Sequence, residues 1–528
     1  MSFQANTQYI NYGRNWLSLV IITNEYIRHE FGIKRMPLSK DIMNFRWNME
    51  KTAKEIGHAT SLKNLLLDAQ KAVEGNVPYA SLGAHVPNDY FPDIRIKNAK
   101  LNSIQQDNSD IDTSLTIGGR YSKNIIKTDV PFSVGAMSYG SVKLPAKIAL
   151  HFALNRLAEN GIRVLMNTGE GGALPWEVYG SEKSREHLSK SHWDSILQYT
   201  DRLLKDSNLD GIDMDKLFQR KYPLVVQYAS GRFWKDPSYL LNADGIEIKI
   251  GQGAKIGHGG LLPGSKVTEL VAENRGILPN KPAHSPSRHL DILGPEDLVA
   301  KVLELRELTN WEMPIIVKVG ASRIYDDMEI ILKSYADAAT VDGLAGGTGA
   351  APFEVREDIG INTIASLFPI RNAIADYYKT HDNDGFKLLM NGGIWDSERV
   401  AKVLALGADG VGIGTGFLLA MGCTLIQECH TDICPAGITG SHEKLDVENS
   451  ADGIFNYIKT TKTELENIAG SLGRKSIHDM NPDDLVVSDL LTSIISKLKF
   501  LDGTDYVSKI KQRIENAMAV LNLQGGNS

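Results

Sequence analysis

Cysteine is what this sequence has least of: 3 thiols in 528 residues. So few sulfurs exclude a disulfide-stapled scaffold, and an odd number cannot be used up in pairs. A basic excess is also missing. The net charge of −7 gives no electrostatic reason to expect nucleic acid or an anionic membrane surface as partner. No apolar run approaches the roughly 18 residues that a membrane-spanning helix needs. The longest candidate, 16–23, is far too short. The opening MSFQANTQYINYGRNW lacks the basic-then-apolar pattern of a secretory leader. A reducing, cytoplasmic home is therefore expected. Finally, no GxGxxG follows a strand and opens a helix, and no Walker loop is present. Gly257-His258-Gly259-Gly260 and Gly346-Gly347-Thr348-Gly349 lack those contexts. A second nucleotide site is not expected, and electrons would come from a partner protein.

What is there is concentrated. Cys423, Cys429 and Cys434 all fall in GCTLIQECHTDICPAGITG, residues 422–440, and Pro435 follows the last. Three thiolates so spaced suit a sulfur-ligated iron cluster, and with no fourth cysteine the economical form is a [3Fe–4S] centre. Two other readings stay open. One is a structural zinc with His430 as fourth ligand, although adjacent Cys429 and His430 would strain a closed tetrahedral site. The other is a set of buried, inert thiols.

From residue 131 a rhythm begins. Short apolar runs, each ending in Gly, Ser, Thr, Asn or Tyr, alternate with longer segments that mostly suit helices. They are 132–138, 164–169, 224–228, 245–251, 314–320, 338–343, 387–393 and 410–416. Eight such repeats predict an α/β chain built as a (β/α)8 TIM barrel with a parallel sheet. Two insertions are visible, 181–222 and 252–311; the second ends in a predicted helix, Pro295–Leu308. The expected organisation is an N-terminal helical and loop region over 1–128, the barrel with its cysteine segment over 129–440, and a C-terminal helical extension over 441–528. Within the first, helices are expected over 21–31, 41–56 and 62–73, then an extended connector over 78–98. Within the last, they are expected over 452–469, 485–501 and 506–523, with a break at Leu472-Gly473.

Barrel enzymes work at the C-terminal ends of their strands and often bind phosphate after strands 7 and 8. Here those places hold Asn391-Gly392-Gly393 and Gly414-Thr415-Gly416. Glycine lets backbone N–H groups approach an oxyanion, so a phosphate-bearing cofactor is expected, with plain turns as the alternative. Lys318 lies late in strand 5. A lysine there would stabilise negative charge on a reduced flavin, or serve a structural ion pair.

The motifs together resemble those of the FMN-binding synthase part of glutamate synthase, over about residues 129–485. GAMSYGS (135–141), NTGEGG (167–172), QYASGRF (227–233), IKIGQGAKIGHGGLLPGSKV (248–267), SPSRHLDI (285–292), VDGLAGGTGAAP (341–352), NGG (391–393), IGTG (413–416) and SLGRKSIHDM (471–480) occur in the family's order. The cysteine segment matches the family's Cys-x5-Cys-x4-Cys. The resemblance implies FMN, a [3Fe–4S] cluster at Cys423, Cys429 and Cys434, and reductive amination of 2-oxoglutarate through 2-iminoglutarate. It implies FMN contacts from Met137, Ser138, Gln227, Lys318, Gly392, Gly393, Gly414 and Thr415. Lys255 and Arg275 fall where the family holds the keto-acid carboxylates, and Glu170 where ammonia enters. One departure concerns the glycine-rich loop, which in the family commonly continues G-E-G-G-Q; here it reads Gly257-His258-Gly259-Gly260-Leu261. The other is the cysteine nucleophile of a glutamine amidotransferase, which has no counterpart before Cys423. Ammonia would come from solution or a glutaminase subunit, and electrons from ferredoxin or an NAD(P)H-oxidising subunit. An N-methylglutamate synthase-type enzyme using methylamine, or a non-catalytic electron-transfer subunit, are the alternatives.

Overall fold

The expected apolar runs form eight parallel strands in a computed structural model, which describes residues 79–84, 89–98, 104–107, 111–186, 188–233, 237–440 and 444–525. The helices expected over 21–31, 41–56 and 62–73 lie outside the described residues. The strands are β1 Phe132–Val134, β2 Met166–Asn167, β3 Leu224–Ala229, β4 Gly245–Lys249, β5 Ile315–Gly320, β6 Ala338–Asp342, β7 Lys387–Asn391 and β8 Gly410–Ile413. β8 pairs back onto β1, Val411 against Phe132 through Ile413 against Val134, and closes the barrel. Several strands stop before the glycines that end the sequence runs. Gly169, Gly392 and Gly393 have φ of 76°, 102° and 69°, outside the range of a ladder, so they belong to the turns at the barrel mouth.

The opposite end is plugged. A hairpin, Leu115–Gly118 paired with Ile125–Thr128, alternates buried and less buried residues. Its Leu115, Ile117 and Ile126 join Leu165, Val225, Ile316, Ala338 and Leu389 in one apolar cluster. Each fully buried aliphatic side chain contributes about 1.5–3 kcal/mol, so this end is a packed core and leaves the other end for chemistry.

Helices lie between the strands: α1 Leu144–Glu159, α2 Lys190–Asp206, α3 Glu269–Arg275, α4 Pro295–Leu308, α5 Ile324–Leu332, α6 Thr363–Tyr377 and α7 Ser397–Ala405. α4 has the bounds read from the sequence, with Pro295 at a first-turn position where its missing N–H costs nothing. α2 fills the first insertion, started by Ser189, whose hydroxyl accepts from the His192 N–H. α8, Thr415–Ala420, follows β8, and the cysteine segment leads on to the long α9, Val447–Ser471, which packs along α1. α9 stops at the expected break, where Gly473 has φ 71°.

The helix expected over 485–501 is not formed. Leu485–Val487 is a strand, paired antiparallel with Ile94–Ile96, and only Leu490–Ser496 is helical (α10). β-Branched Val486-Val487 favours the strand. The Asp489 carboxylate then caps α10, which Lys497 ends at φ 50°. α11, Tyr506–Gly525, completes the chain as expected. The connector expected over 78–98 is extended in part: Tyr79–Ala80 pairs with Ala351–Pro352, and Leu82 N–H donates to Thr348 O at 2.7 Å. No described helix is long and apolar enough to cross a membrane.

Candidate active site

The turns leaving the strands surround a cavity of ≈1230 Å³. All eight residues expected to contact FMN line it, and so do Glu170, Lys255 and Arg275. Met137 and Ser138 come from the turn after β1, Gln227 from β3, Lys318 from β5, Gly392 and Gly393 from the turn after β7, and Gly414 and Thr415 from the end of β8. Part of the rim comes from the N-terminal arm, through Leu82, Asp89 and Phe91. Asp89 pairs with Arg399 at 2.6 Å, while Arg399 donates to Gly393 O and lies over the Trp395 ring.

The floor is a polar layer inside the barrel. Glu247 is buried in β4, and its carboxylate accepts from Gln227 at 2.7 Å, Asn167 at 2.9 Å and Thr340 at 2.8 Å. Lys318, also buried, stands 3.5 Å from Asp342 Oδ2. Its pKa is raised: burial works against its charge, but Asp342 and Glu247 outweigh burial. Lys318 is therefore an ion-pair partner that also faces the cavity. Among the described residues, the buried Asp342 Oδ1 and Asn391 Oδ1 find no hydrogen-bond partner here. Such acceptors are costly, and a bound group with donors would satisfy them.

Above the floor the cations divide into two kinds. Lys249, at the end of β4, donates to Glu170 Oε2 at 2.8 Å. Among the described residues, Lys255 and Arg275 have no carboxylate within ion-pair distance, although both are buried. Lys255 Nζ donates to Ala350 O at 3.1 Å. Arg275 Nη2 donates to Tyr139 O at 2.7 Å and Ser138 Oγ at 3.3 Å, while its Nε has no partner. Burial lowers the Lys255 pKa to about 8 and that of Arg275 to about 10, against the pull of Glu170. For Glu170, burial works to raise the pKa, but Lys249, Lys255 and Arg275 bring it down to about 2. The site thus holds a fixed carboxylate between cations.

The cysteine segment forms one wall: Cys429 lines the same cavity as Gly392 and Gly414. Cys423, Cys429 and Cys434 are part-buried and close enough to act on one another electrostatically. Burial pushes the Cys423 thiol well up and Cys429 up to about 11, with the Lys266 charge opposing the rise at Cys429. Thiols so placed ionise readily only against added positive charge, which iron supplies. Leu425 and Gln427 adopt φ of 55° and 58°, and the Leu425 N–H donates to Cys423 Sγ at 3.4 Å. An amide turned toward sulfur in this way suits a thiolate-held cluster. Among the described residues no three His, Cys, Asp or Glu side chains converge as a single-ion site. His430, the fourth ligand in the zinc reading, places Nδ1 2.8 Å from Ser81 Oγ.

Three residues escaped the sequence reading: Glu247, Lys249 and Lys266. The first two were signalled by GIEIK, where charges alternate with isoleucine inside a barrel strand. Lys266 carried no such signal.

The family model and the curated relatives point to one family. The model of the conserved region in glutamate synthase matches residues 92–475. A glutamate synthase large subunit-like protein of Rhizobium meliloti is 32% identical over 75% of this chain and 83% of its own length. An archaeal glutamate synthase [NADPH] of Methanocaldococcus jannaschii is 35% identical over 67% of this chain, which spans only 61% of that relative. Among solved structures, a flavocytochrome b2 variant with sulfite bound has a TM-score of 0.46 at 16% identity, covering 93% of this chain and 96% of that one. That likeness is too distant to inform the chemistry.

Proposed function

The chain belongs to the glutamate synthase family, and we propose that it reductively aminates 2-oxoglutarate to L-glutamate. One observation carries the reading. Among the described residues, Lys255 and Arg275 are buried cations with no carboxylate within ion-pair distance, in the same cavity as Glu170. A keto acid with two carboxylates supplies what they lack, through charge-assisted hydrogen bonds. Glu170, with a pKa near 2, is a poor proton acceptor at neutral pH. Its role in this reading is to hold ammonium beside the keto carbon.

Met137, Ser138, Gln227, Lys318, Gly392, Gly393, Gly414 and Thr415 would hold FMN, with the glycine turns offering amides to its phosphate. Cys423, Cys429 and Cys434 would hold a [3Fe–4S] cluster. When bound, FMN would supply hydride to the carbon of 2-iminoglutarate and the cluster would supply single electrons. Lys318 would hold positive charge near the flavin ring. Electrons would come from ferredoxin or an NAD(P)H-oxidising subunit, and ammonia from solution or a glutaminase subunit.

Leu261 favours a second reading. It lines the cavity where the resembling family loop carries glutamine. An apolar surface there suits a substrate with an additional apolar carbon, such as the methyl group of methylamine in an N-methylglutamate synthase-type reaction. Steady-state turnover with an artificial reductant separates the two. Glutamate formed from 2-oxoglutarate and ammonia supports the first, and product formed only with methylamine replaces it by the second.

A further inference from the structure

Lys266 is a buried lysine with no part in the cavity. It closes the glycine-rich loop in a short turn, Gly264–Lys266, and its residue is 1% exposed. Nζ donates to two carbonyls at 2.9 Å each, Ser141 O and Cys429 O. Among the described residues no carboxylate stands within ion-pair distance of it. The nearby Asp432 pairs instead with Lys143, at 3.1 Å. Two carbonyl dipoles are a meagre return for burying a full charge, and a buried cation needs a negative body close by. The groups that fit are the sulfurs, since Nζ is already fixed on the carbonyl of Cys429 itself. Three thiolates around an iron–sulfur core carry net negative charge at the place where the ammonium is fixed.

We propose that Lys266 is the counter-ion of the iron–sulfur centre held by Cys423, Cys429 and Cys434 and sets its reduction potential. The inference rests on the cluster reading given above. On reduction the centre gains one electron from the reductant, no bond forms or breaks, and its negative charge grows by one. A fixed ammonium stabilises the reduced centre more than the oxidised one, so it raises the potential. Lys266 acts through the field it imposes and through its hold on the Cys429 carbonyl, and it is a positioning residue.

The test uses the full chain purified without oxygen. The cluster is titrated with dithionite and followed by EPR, in the unaltered chain, Lys266→Met and Lys266→Arg. At the midpoint of the unaltered chain, the reduced-to-oxidised ratio of Lys266→Met falls about tenfold, about 59 mV for one electron. Lys266→Arg, which keeps the charge, restores most of the difference, and the flavin potential moves less than that of the cluster. An unchanged cluster potential in Lys266→Met overturns the proposal. Should Lys266→Met lose iron and sulfide, retention by Lys266→Arg supports the counter-ion role, and loss from both overturns it. An unaltered chain without iron and sulfide removes the cluster reading itself, which is a distinct result.

Discussion

Lys249 Nζ donates to Glu170 Oε2 at 2.8 Å, and the Glu170 carboxylate packs directly against Gly260. A Cβ at residue 260 would fall on Glu170 Oε1. The carboxylate is therefore held from two sides, by an ammonium and by a backbone that has no room for a side chain. Glycine at 260 is needed for the space it leaves.

Gly260→Ala is expected to push Glu170 out of register with Lys255 and Arg275. Misplacing a reacting group by about an ångström costs about 10²-fold in rate. The expected outcome is a fall of about that size in kcat/KM, with far-UV circular dichroism unchanged. Near-normal turnover would show that Glu170 has no positioned role.

Keto-acid affinity should depend on the charge of Lys255. Its pKa is lowered to about 8, so the cation is fully present below that pH and lost as pH rises through it. Binding of 2-oxoglutarate should be strongest below about pH 8 and weaken above it. Lys255→Arg, charged at every accessible pH, should hold its affinity to higher pH. Lys255→Ala should weaken binding about tenfold or more, since a charged hydrogen bond contributes about 1.5–3 kcal/mol. Calorimetric titration across the pH range reads all three.

The two readings of Lys318 can be separated. Lys318→Met leaves the Asp342 carboxylate buried and unpaired, which should cost about 3–5 kcal/mol of stability. Adding Asp342→Asn should recover most of that loss. If Lys318 also serves the flavin, the double variant regains its melting temperature but not its FMN content or flavin potential. Full recovery of both would leave only the ion pair.

The barrel was legible because each strand is a short apolar run closed by small or polar residues, and β3 to β6 are almost wholly buried. Met137, Ser138, Gln227, Lys318, Gly392, Gly393, Gly414 and Thr415 were legible because each stands at or near the end of such a run, whereas Glu170, Lys255 and Arg275 were legible only through the family resemblance. The 485–501 segment was misread because Leu-Val-Val spacing fits either period, and only pairing with Ile94–Ile96, hundreds of residues earlier, decides it. Distance hid the rest in the same way. Asp89 meets Arg399 and Ser81 meets His430 although they stand 310 and 349 residues apart in sequence, and Lys266 meets Cys429 from another loop. Nothing local in the sequence marks such pairs.

The central claim is that a flavin and a thiolate-held iron centre share this barrel mouth, where Cys429, Gly392 and Gly414 line one cavity. The direct measurement is the visible and EPR spectrum of the anaerobically purified chain, with iron, sulfide and FMN quantified, beside Cys429→Ser. The unaltered chain should contain FMN and three irons per polypeptide. The variant should lose the broad iron–sulfide absorbance and keep the flavin bands. Unchanged iron and sulfide in Cys429→Ser, or no FMN in either protein, would contradict the account.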